Sequence, residues 1–234
     1  MIKISSSILN ADFTQLANVV RSLEASGTDM LHLDIMDGVF VPNISFGFPI
    51  IESLRKITTL FFDVHLMIAN PGKYIESIAK AGADGITFHY ESALNKAGSN
   101  ESALNKVGSN EASRNVEKTL IKIKKLQKKS CLAIKPETAA EAVFSYLPLC
   151  DTILVMTVEP GFGKQRFIES TLSKISIIRE EISRQKLNVS IQVDGGIDIK
   201  TAPQVIQAGA NILVAGNVLF SADDMKSVME NLRG

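Results

Sequence analysis

The sequence contains no tryptophan, only two cysteines and no long apolar run. Cys131 and Cys150 form no paired-cysteine or cysteine–histidine metal motif, so we expect two reduced, partly buried thiols. Lysine plus arginine equals aspartate plus glutamate, 25 each, which gives none of the basic surplus expected of a nucleic-acid or anionic-membrane binder. No segment reaches the ~18 apolar residues of a membrane span, and no signal peptide is recognisable at the start. We therefore expect a soluble, cytoplasmic protein with neither nucleic-acid nor membrane partners.

Short apolar runs alternate with amphipathic stretches along the 234 residues. This alternation is typical of a parallel sheet covered by helices on its outer face. Eight such units predict one (β/α)8 TIM barrel domain over residues 1–234, whereas an open doubly wound sheet usually has about five or six strands. The predicted strands are 3–9, 30–35, 61–67, 85–90, 130–135, 152–158, 190–194 and 212–215. The predicted helices are 13–25, 49–56, 73–81, 112–128, 139–146, 167–184, 201–208 and 223–231.

A tandem decapeptide interrupts this pattern at residues 91–110. ESALNKAGSN is followed by ESALNKVGSN, and the copies differ only at Ala97 and Val107. The period is too short for a solenoid repeat, so it predicts an expanded loop after the fourth strand. That loop leaves the rim where catalysis occurs in this fold. A neutral insertion is favoured over a gate for the site.

Polar residues alternate with apolar ones in the second, third and seventh predicted strands. Because residues two apart share a face and the apolar face must meet the helices, the polar faces point into the barrel. Burying two imidazoles and two carboxylates is costly without compensation, which a divalent cation supplies. Such a donor set suits Zn²⁺, Fe²⁺, Mn²⁺ or Co²⁺ better than Ca²⁺ or Mg²⁺. The candidate ligands are His32, Asp34, His65 and Asp194.

Other residues are assigned supporting parts. His89, at the end of the fourth strand, is interpreted as a packing residue or a partner of the ligands rather than as a ligand. Met36, Met67 and Met156 are weaker candidates for lining the pocket, since a methionine is more often simply part of a core.

Glycine-bearing turns follow the sixth, seventh and eighth predicted strands. Glycine lets backbone N–H groups approach an anion closely, and the loops after strands seven and eight often bind phosphate in this fold. A short helix starting near Asn217 would add its positive end. The residues expected around a phosphate are Gly161, Phe162, Gly163, Lys164, Gly195, Gly196, Gly216 and Asn217.

Several motifs occur in a specific order: SSSIL from Ser5, LHLDIMDG from Leu31 with FVPN from Phe40, DVHLM from Asp63, VMTVEPGFG from Val155, and VDGGI from Val193. Together they resemble the ribulose-phosphate 3-epimerase family. The resemblance covers essentially the whole chain except the duplicated segment. It implies interconversion of D-ribulose 5-phosphate and D-xylulose 5-phosphate at C3, in the pentose phosphate pathway.

The resemblance also implies roles for individual residues. His32, Asp34, His65 and Asp194 would hold one divalent ion, with Zn²⁺ preferred, and Asp34 and Asp194 would be the acid/base pair. Ser7 and His65 would contact the substrate. Family members form dimers or hexamers, so a homo-oligomer is expected.

Two positions depart from the family pattern. Lys164 stands where Gly-Phe-Gly-Gly-Gln usually has its last glycine, and Asn217 stands where a small serine is common. The lysine adds positive charge near the phosphate and removes backbone freedom, whereas Asn217 still donates a hydrogen bond. Both departures concern phosphate binding rather than the chemistry.

The residues also agree with the chemistry of C3 inversion. Removal of the hydrogen beside the C2 carbonyl leaves a 2,3-enediolate, whose charge a divalent cation would stabilise. Inversion needs a base on one face of C3 and an acid on the other. The sequence does not assign either aspartate to a face.

Rival functions are distinguishable. An orotidine-phosphate-type decarboxylase needs Asp-x-Lys-x-x-Asp, but Met36 and Val39 occupy the corresponding positions after Asp34. A Schiff-base aldolase would depend on Lys135, which precedes Pro136 and is better interpreted as a rim residue. An inactive sugar-phosphate sensor would keep the glycine turns but gain nothing from both aspartates. A C3-epimerase of a hexulose 6-phosphate also remains open, because the sequence does not measure pocket depth.

Overall fold

A computed structural model describes the backbone of residues 1–94 and 110–234, and the side chains of residues 1–94 and 113–234. Eight parallel strands close into a barrel, each paired with its neighbours in sequence and β8 paired with β1. The predicted (β/α)8 TIM barrel is confirmed. The strands are β1 Lys3–Ser7, β2 Met30–Met36, β3 Phe61–Met67, β4 Gly85–His89, β5 Lys129–Ile134, β6 Thr152–Met156, β7 Ser190–Asp194 and β8 Ile212–Ala215.

Helices cover the outside of the barrel. They are α1 Leu16–Ala25, α2 Phe48–Arg55, α3 Ile75–Ala81, α4 Tyr90–Leu94, α5 Asn110–Lys125, α6 Thr171–Arg184, α7 Ala202–Ala208, α8 Asn217–Phe220 and α9 Met225–Arg233. Short 3₁₀ segments occupy Phe13–Gln15 and Pro71–Lys73, and a longer one, Ala140–Leu149, replaces a helix between β5 and β6. None of the helices in the described ranges is long and apolar enough to cross a membrane.

The amphipathic spacing of the sequence explains the layers. Leu16, Val20 and Leu23 lie three and four residues apart, and they form the buried stripe of α1. On β2, Leu31 and Leu33 point outward and are fully buried beneath the helices. Each such side chain contributes about 1.5–3 kcal/mol through removal from water. On β2 the alternate positions, which include His32 and Asp34, face the interior of the barrel.

Most predicted boundaries are correct to within two residues. The predicted strand 130–135 differs from β5 by one residue at each end, and it stops at Ile134 because the Lys135 N–H donates to the Glu91 side chain instead of to a neighbouring strand. Two larger differences also have local causes. In place of the predicted helix 139–146 lies the 3₁₀ segment Ala140–Leu149, which contains Pro148, a residue without the N–H that an α-helix needs. The predicted helix 167–184 begins only at Thr171, because the Ile168 N–H donates to the Thr157 carbonyl.

The predicted loop over residues 91–110 was wrong at its beginning. Helix α4 follows β4 directly and includes the first four residues of the first decapeptide. Glu91, Ser92 and Ala93 are buried there. The rest of the predicted loop, residues 95–109, lies outside the described residues.

Both thiols are buried and free of a disulfide. Burial raises the pKa of Cys131 to about 12, so this thiol is protonated and unreactive at neutral pH.

Candidate metal centre and substrate cleft

Strand register brings the four candidate ligands together. Asp34 on β2 pairs with His65 on β3, while Asp194 ends β7. The ligand atoms of His32, Asp34, His65 and Asp194 all lie within 4.8 Å of one another, and these side chains could hold a metal ion. The expected grouping of two imidazoles and two carboxylates is therefore present.

The donor atoms converge on a common point. His32 Nε2 lies 3.2 Å from Asp34 Oδ1 and 3.6 Å from Asp194 Oδ2. His65 Nδ1 lies 3.2 Å and 3.7 Å from the same two oxygens. The two histidines thus present different ring nitrogens to the cluster, Nε2 of His32 and Nδ1 of His65.

The buried Nε2 of His32 tests whether a cation fits. Among the described residues this nitrogen has no hydrogen-bond partner, although its ring is fully buried. An unpaired buried polar atom is costly unless something outside the chain satisfies it. A first-row divalent cation bound by two imidazoles and two carboxylates would do so, and the donor set fits one.

Charges within the cluster stabilise one another. Burial opposes the charged form of His32, yet the carboxylates of Asp34 and Asp63 raise its pKa well above the usual value. Burial likewise opposes ionisation of Asp34, but the imidazoles of His32 and His65 lower its pKa. Before a cation binds, the site therefore favours ionised carboxylates beside protonated imidazoles.

Asp63 holds His32 from beneath. Its Oδ2 accepts hydrogen bonds from His32 Nδ1 at 2.7 Å, Ser5 Oγ at 2.8 Å and Gln192 Nε2 at 2.5 Å. Because Nδ1 is engaged with a carboxylate, Nε2 is left to face the cluster. The sequence placed Asp63 inside the barrel but gave it no role; its position two residues before His65 was the available signal.

Ser7 forms a hydrogen bond with Asp34, one of the candidate metal ligands. Its Oγ donates to Asp34 Oδ2 at 2.8 Å, which leaves Oδ1 of Asp34 directed at the two imidazoles. Ser7 and Asp34 both line the cleft above, so the hydroxyl can orient the carboxylate and remain near a bound molecule.

A cleft of about 540 Å³ opens at the carboxyl ends of the strands. This volume suits a small metabolite. His32 and His65 lie buried below and do not line it, whereas Asp34 and Asp194 reach its floor. The other predicted site residues that line it are Ser7, Met36, Met67, Met156, Gly161, Phe162, Gly163, Lys164, Gly195, Gly196, Gly216 and Asn217.

Glycine is required directly after Asp194. Gly195 and Gly196 have φ angles of +115° and +66°. A Cβ on Gly195 would lie 2.3 Å from Val158 Cγ2, and one on Gly196 would lie 2.6 Å from the Phe167 backbone nitrogen. Only glycine permits this tight turn between the candidate ligand and the cleft wall.

The loop after β6 carries two cationic residues beside the cleft. Lys164 has a φ of +61°, the left-handed conformation that favours glycine, so the chain keeps a glycine-like backbone despite the lysine. Arg166 also lines the cleft and had no role in the sequence interpretation. Its position two residues from Lys164 was the signal that could have revealed it.

His89 contacts a ligand instead of joining the cluster. Its Nε2 lies 3.0 Å from His65 Nε2, and its Nδ1 lies 3.2 Å from Glu91 Oε2. Burial lowers the pKa of His89 to about 4, so the ring is neutral at pH 7. Burial opposes the charge of Glu91, but the contact with His89 lowers the pKa of this carboxyl to about 2. The sequence interpretation missed Glu91 because it assigned this residue to the repeated loop.

Lys135 is turned away from the cleft. Its Nζ lies 4.5 Å from the centre of the Phe40 ring, and the residue does not line the cleft. This placement gives no support to a Schiff base with a bound sugar.

The fold and site together define a class: a (β/α)8 barrel with a candidate divalent-cation centre beside a glycine-rich cleft at the carboxyl ends of its strands. Comparison with known proteins identifies the family within this class. The model of the Ribulose-phosphate 3 epimerase family matches residues 3–220. The chain therefore belongs to this family, as its motifs predicted.

Individual relatives agree. "Ribulose-phosphate 3-epimerase" of Bacillus subtilis is 40% identical over 235 aligned residues, covering 100% of this chain and 99% of the relative. The protein of the same name from Synechocystis is 39% identical, with 99% and 93% covered. The solved structure of 3-hexulose-6-phosphate synthase from Salmonella typhimurium superposes with a TM-score of 0.70 at 13% identity, covering 99% of this chain and 97% of that one. At that identity the likeness concerns the fold alone.

Proposed function

We propose that this protein is a metal-dependent epimerase that interconverts D-ribulose 5-phosphate and D-xylulose 5-phosphate at C3, in the pentose phosphate pathway. One observation carries the proposal: Asp34 and Asp194 belong to the cation cluster and also form the floor of the cleft. Two carboxylates that reach the same substrate carbon are what an inversion by proton transfer requires. The names of relatives about 40% identical over their full length support the substrate.

His32, Asp34, His65 and Asp194 would hold the cation, with Zn²⁺ favoured and Fe²⁺, Mn²⁺ or Co²⁺ as alternatives. When bound, a divalent cation supplies Lewis-acid stabilisation of negative charge on adjacent substrate oxygens.

The chain's own carboxylates move the proton. The C3 hydrogen is acidic because it lies beside the C2 carbonyl. One of Asp34 and Asp194 accepts it, and the electron pair of the broken C–H bond becomes part of a 2,3-enediolate. The other, already protonated, delivers its proton to the opposite face of C3, which inverts this carbon. In the reverse direction the two residues exchange roles.

The rest of the cleft binds and shields the substrate. The glycine turns at Gly195 and Gly216 expose backbone to a phosphate, and Lys164 and Arg166 add positive charge nearby. Met36, Met67 and Met156 give the reacting end an apolar wall, and each is at most 4% exposed. Such a wall keeps water away from the enediolate, which would otherwise be protonated without control.

We further propose one domain over residues 1–234, a homo-oligomer (dimer or hexamer) and a cytoplasmic location, with no nucleic-acid or membrane partner. These follow from the balanced charge and the family's motifs.

Asp194→Asn tests the proposal. The amide keeps the size of the side chain but cannot accept the C3 proton, so we expect kcat to fall by roughly 10²–10⁴-fold. Asp84→Asn is the matched control, because Asp84 accepts bonds from the Phe62 N–H and Arg55 at the opposite end of the barrel. This control should keep its kcat even where it loses stability.

The assay measures epimerisation and substrate binding on zinc-loaded protein. Loss of turnover in Asp194→Asn with binding retained distinguishes an enzyme from a sugar-phosphate sensor. Turnover at the wild-type rate would contradict the proposal, as would a wild type that converts allulose 6-phosphate but not ribulose 5-phosphate. Borohydride trapping of substrate on Lys135 would instead indicate an aldolase.

A further inference from the structure

The second nitrogen of His65 faces another imidazole. His65 directs Nδ1 at Asp34 and Asp194, while its Nε2 lies 3.0 Å from His89 Nε2. The ring centres lie 5.1 Å apart and the planes are 26° from parallel, so the two rings meet edge to edge through these nitrogens. Both side chains are fully buried, so neither nitrogen faces bulk solvent.

The direction of this hydrogen bond follows from what His65 must do. A neutral imidazole carries one hydrogen, and a nitrogen that binds a cation must keep its lone pair free. If Nδ1 of His65 faces the cation, its hydrogen is on Nε2. His89 Nε2 must then accept that hydrogen bond, which places the hydrogen of His89 on Nδ1.

Glu91 completes the chain as a fixed acceptor. Its Oε2 lies 3.2 Å from His89 Nδ1, and an ionised carboxylate can only accept. Its other oxygen accepts from the Lys135 backbone N–H at 2.9 Å and from the Thr138 hydroxyl. The carboxylate is therefore anchored to the end of β5 and cannot easily turn away from His89.

The two candidate imidazole ligands are thus supported in parallel ways. His32 donates directly to the Asp63 carboxylate, whereas His65 reaches a carboxylate through one intervening ring. In metal sites, carboxylates behind histidine ligands fix the tautomer and orientation of the ring.

We propose that His89 and Glu91 are positioning residues that hold His65 with its hydrogen on Nε2, so that Nδ1 is available to the cation. This inference rests on the metal site in the proposed function and adds to it a relay that runs from β4 and the start of α4 to β3. Neither residue touches the cleft, so both act through His65.

Three variants separate hydrogen bonding from packing. His89→Phe keeps an aromatic ring between His65 and Phe40 but removes the acceptor. His89→Gln supplies an amide oxygen that can accept the hydrogen bond from His65 in place of the imidazole nitrogen. Glu91→Gln keeps the shape of the side chain but removes its charge. Asp151→Asn is the matched control, because this carboxylate supports the Ser130 N–H and does not contact the cluster.

The readout is the Zn²⁺ dissociation constant, measured by competition with a chromogenic chelator at one pH. We expect His89→Phe to weaken zinc binding by roughly 10–100-fold, as for other partners of metal-bound histidines. Glu91→Gln should weaken zinc binding less than His89→Phe does. His89→Gln should bind zinc more tightly than His89→Phe, and Asp151→Asn should bind zinc as the wild type does. Thermal unfolding of the metal-free proteins identifies any variant that does not fold. If His89→Phe does not fold, the zinc affinities of His89→Gln and Glu91→Gln test the role of the hydrogen bonds.

Nitrogen-15 spectra of the histidine rings give a second, independent readout. In the zinc-loaded wild type, His65 should carry its hydrogen on Nε2. A hydrogen on Nδ1, or wild-type zinc affinity in folded His89→Phe, would overturn the inference while leaving the epimerase proposal intact. A wild type that binds no zinc would overturn the metal site and this inference together.

Discussion

Buried charges in the barrel are each matched by a specific neighbour. Asp34 takes a hydrogen bond from Ser7, and His32 is paired with Asp63. Such pairing is necessary because an unpaired ionised group in this interior would shift its pKa or destabilise the fold. Of the four candidate ligands, Asp34 and Asp194 line the cleft and are therefore available for chemistry.

Lys164 lines the cleft with its backbone in the left-handed region. Its backbone φ of +61° costs roughly 1–2 kcal/mol for a residue other than glycine. Glycine would remove that strain but lose about 0.5–1 kcal/mol through its greater freedom in the unfolded chain. We therefore expect Lys164→Gly to change the free energy of unfolding by at most about 1.5 kcal/mol, and to raise KM about two- to fivefold through the lost charge.

Two further variants separate charge from backbone. Lys164→Gln removes the charge but keeps the side chain in the left-handed region, so its KM should rise equally. Lys186→Gly, at a φ of +55° on the exposed surface away from the cleft, should match the stability change and leave KM unaltered. The KM effects should shrink in high salt. If KM rises in Lys164→Gly but not in Lys164→Gln, the effect comes from the change in the backbone and not from the lost charge.

Parallel pairing of neighbouring strands assembles the cluster. Because side chains alternate along a strand, a shift of one residue between β2 and β3 would turn His65 away from Asp34. Closure of the barrel then brings Asp194 of β7 to the same point.

Helix α4 is the other element on which the site depends; it begins at Tyr90, and its remaining residues, 91–94, are the first four of the first decapeptide. Deletion of residues 101–110 leaves one copy, which again supplies the residues at positions 91–94. We expect kcat/KM to stay within roughly threefold of the wild type, because the shortened chain keeps residues 91–94 and places Asn100 directly before Glu111, where Asn110 stood. Steady-state kinetics and thermal unfolding measure the outcome.

Deletion of residues 91–100 is the internal control. The two shortened chains differ only by alanine or valine at position 97, so they should behave alike. A loss of turnover beyond tenfold in both would favour the gating role that the sequence left as the less favoured interpretation. Retention in both would indicate a neutral insertion.

Folding, metal binding and pH are linked across the molecule. In the metal-free protein, burial opposes charge on His32 and His65, but the surrounding carboxylates raise the pKa of both. A pKa that is raised by folding adds stability. This stability is fully present below the histidine pKa of the unfolded chain, about 6.5, and is lost as the pH rises through the pKa of the folded protein. A cation must displace the same protons before it can bind.

We therefore expect zinc affinity to fall as pH drops below the raised pKa values, by up to about 100-fold per pH unit while two protons are displaced. Calorimetry in buffers of different ionisation enthalpy counts the protons released. Urea unfolding should show the stability added by excess zinc increasing with pH. Zinc binding without proton release near pH 7 would contradict the linkage.

The sequence by itself determined the eight-unit alternation, the inward face of each polar strand and the membership of the candidate cluster. Period-two and helical spacing report which face of an element is buried, and this information is local. The same local signals located Asp63 inside the barrel and His89 at the end of its strand. They could not assign partners, because a partner lies on a different strand.

Only the tertiary structure decided which polar groups meet. Asp63 lies 31 positions from His32 in the chain and Gln192 lies 129 positions from Asp63, yet they form one buried network. The sequence assigned Glu91 to a loop because this residue belongs to the repeated decapeptide. Its carboxylate accepts from the Lys135 N–H only because β5 pairs with β4 and ends beside it. Closure of the barrel converts separate strand faces into one site, since distance in space there is set by register and curvature rather than by position along the chain.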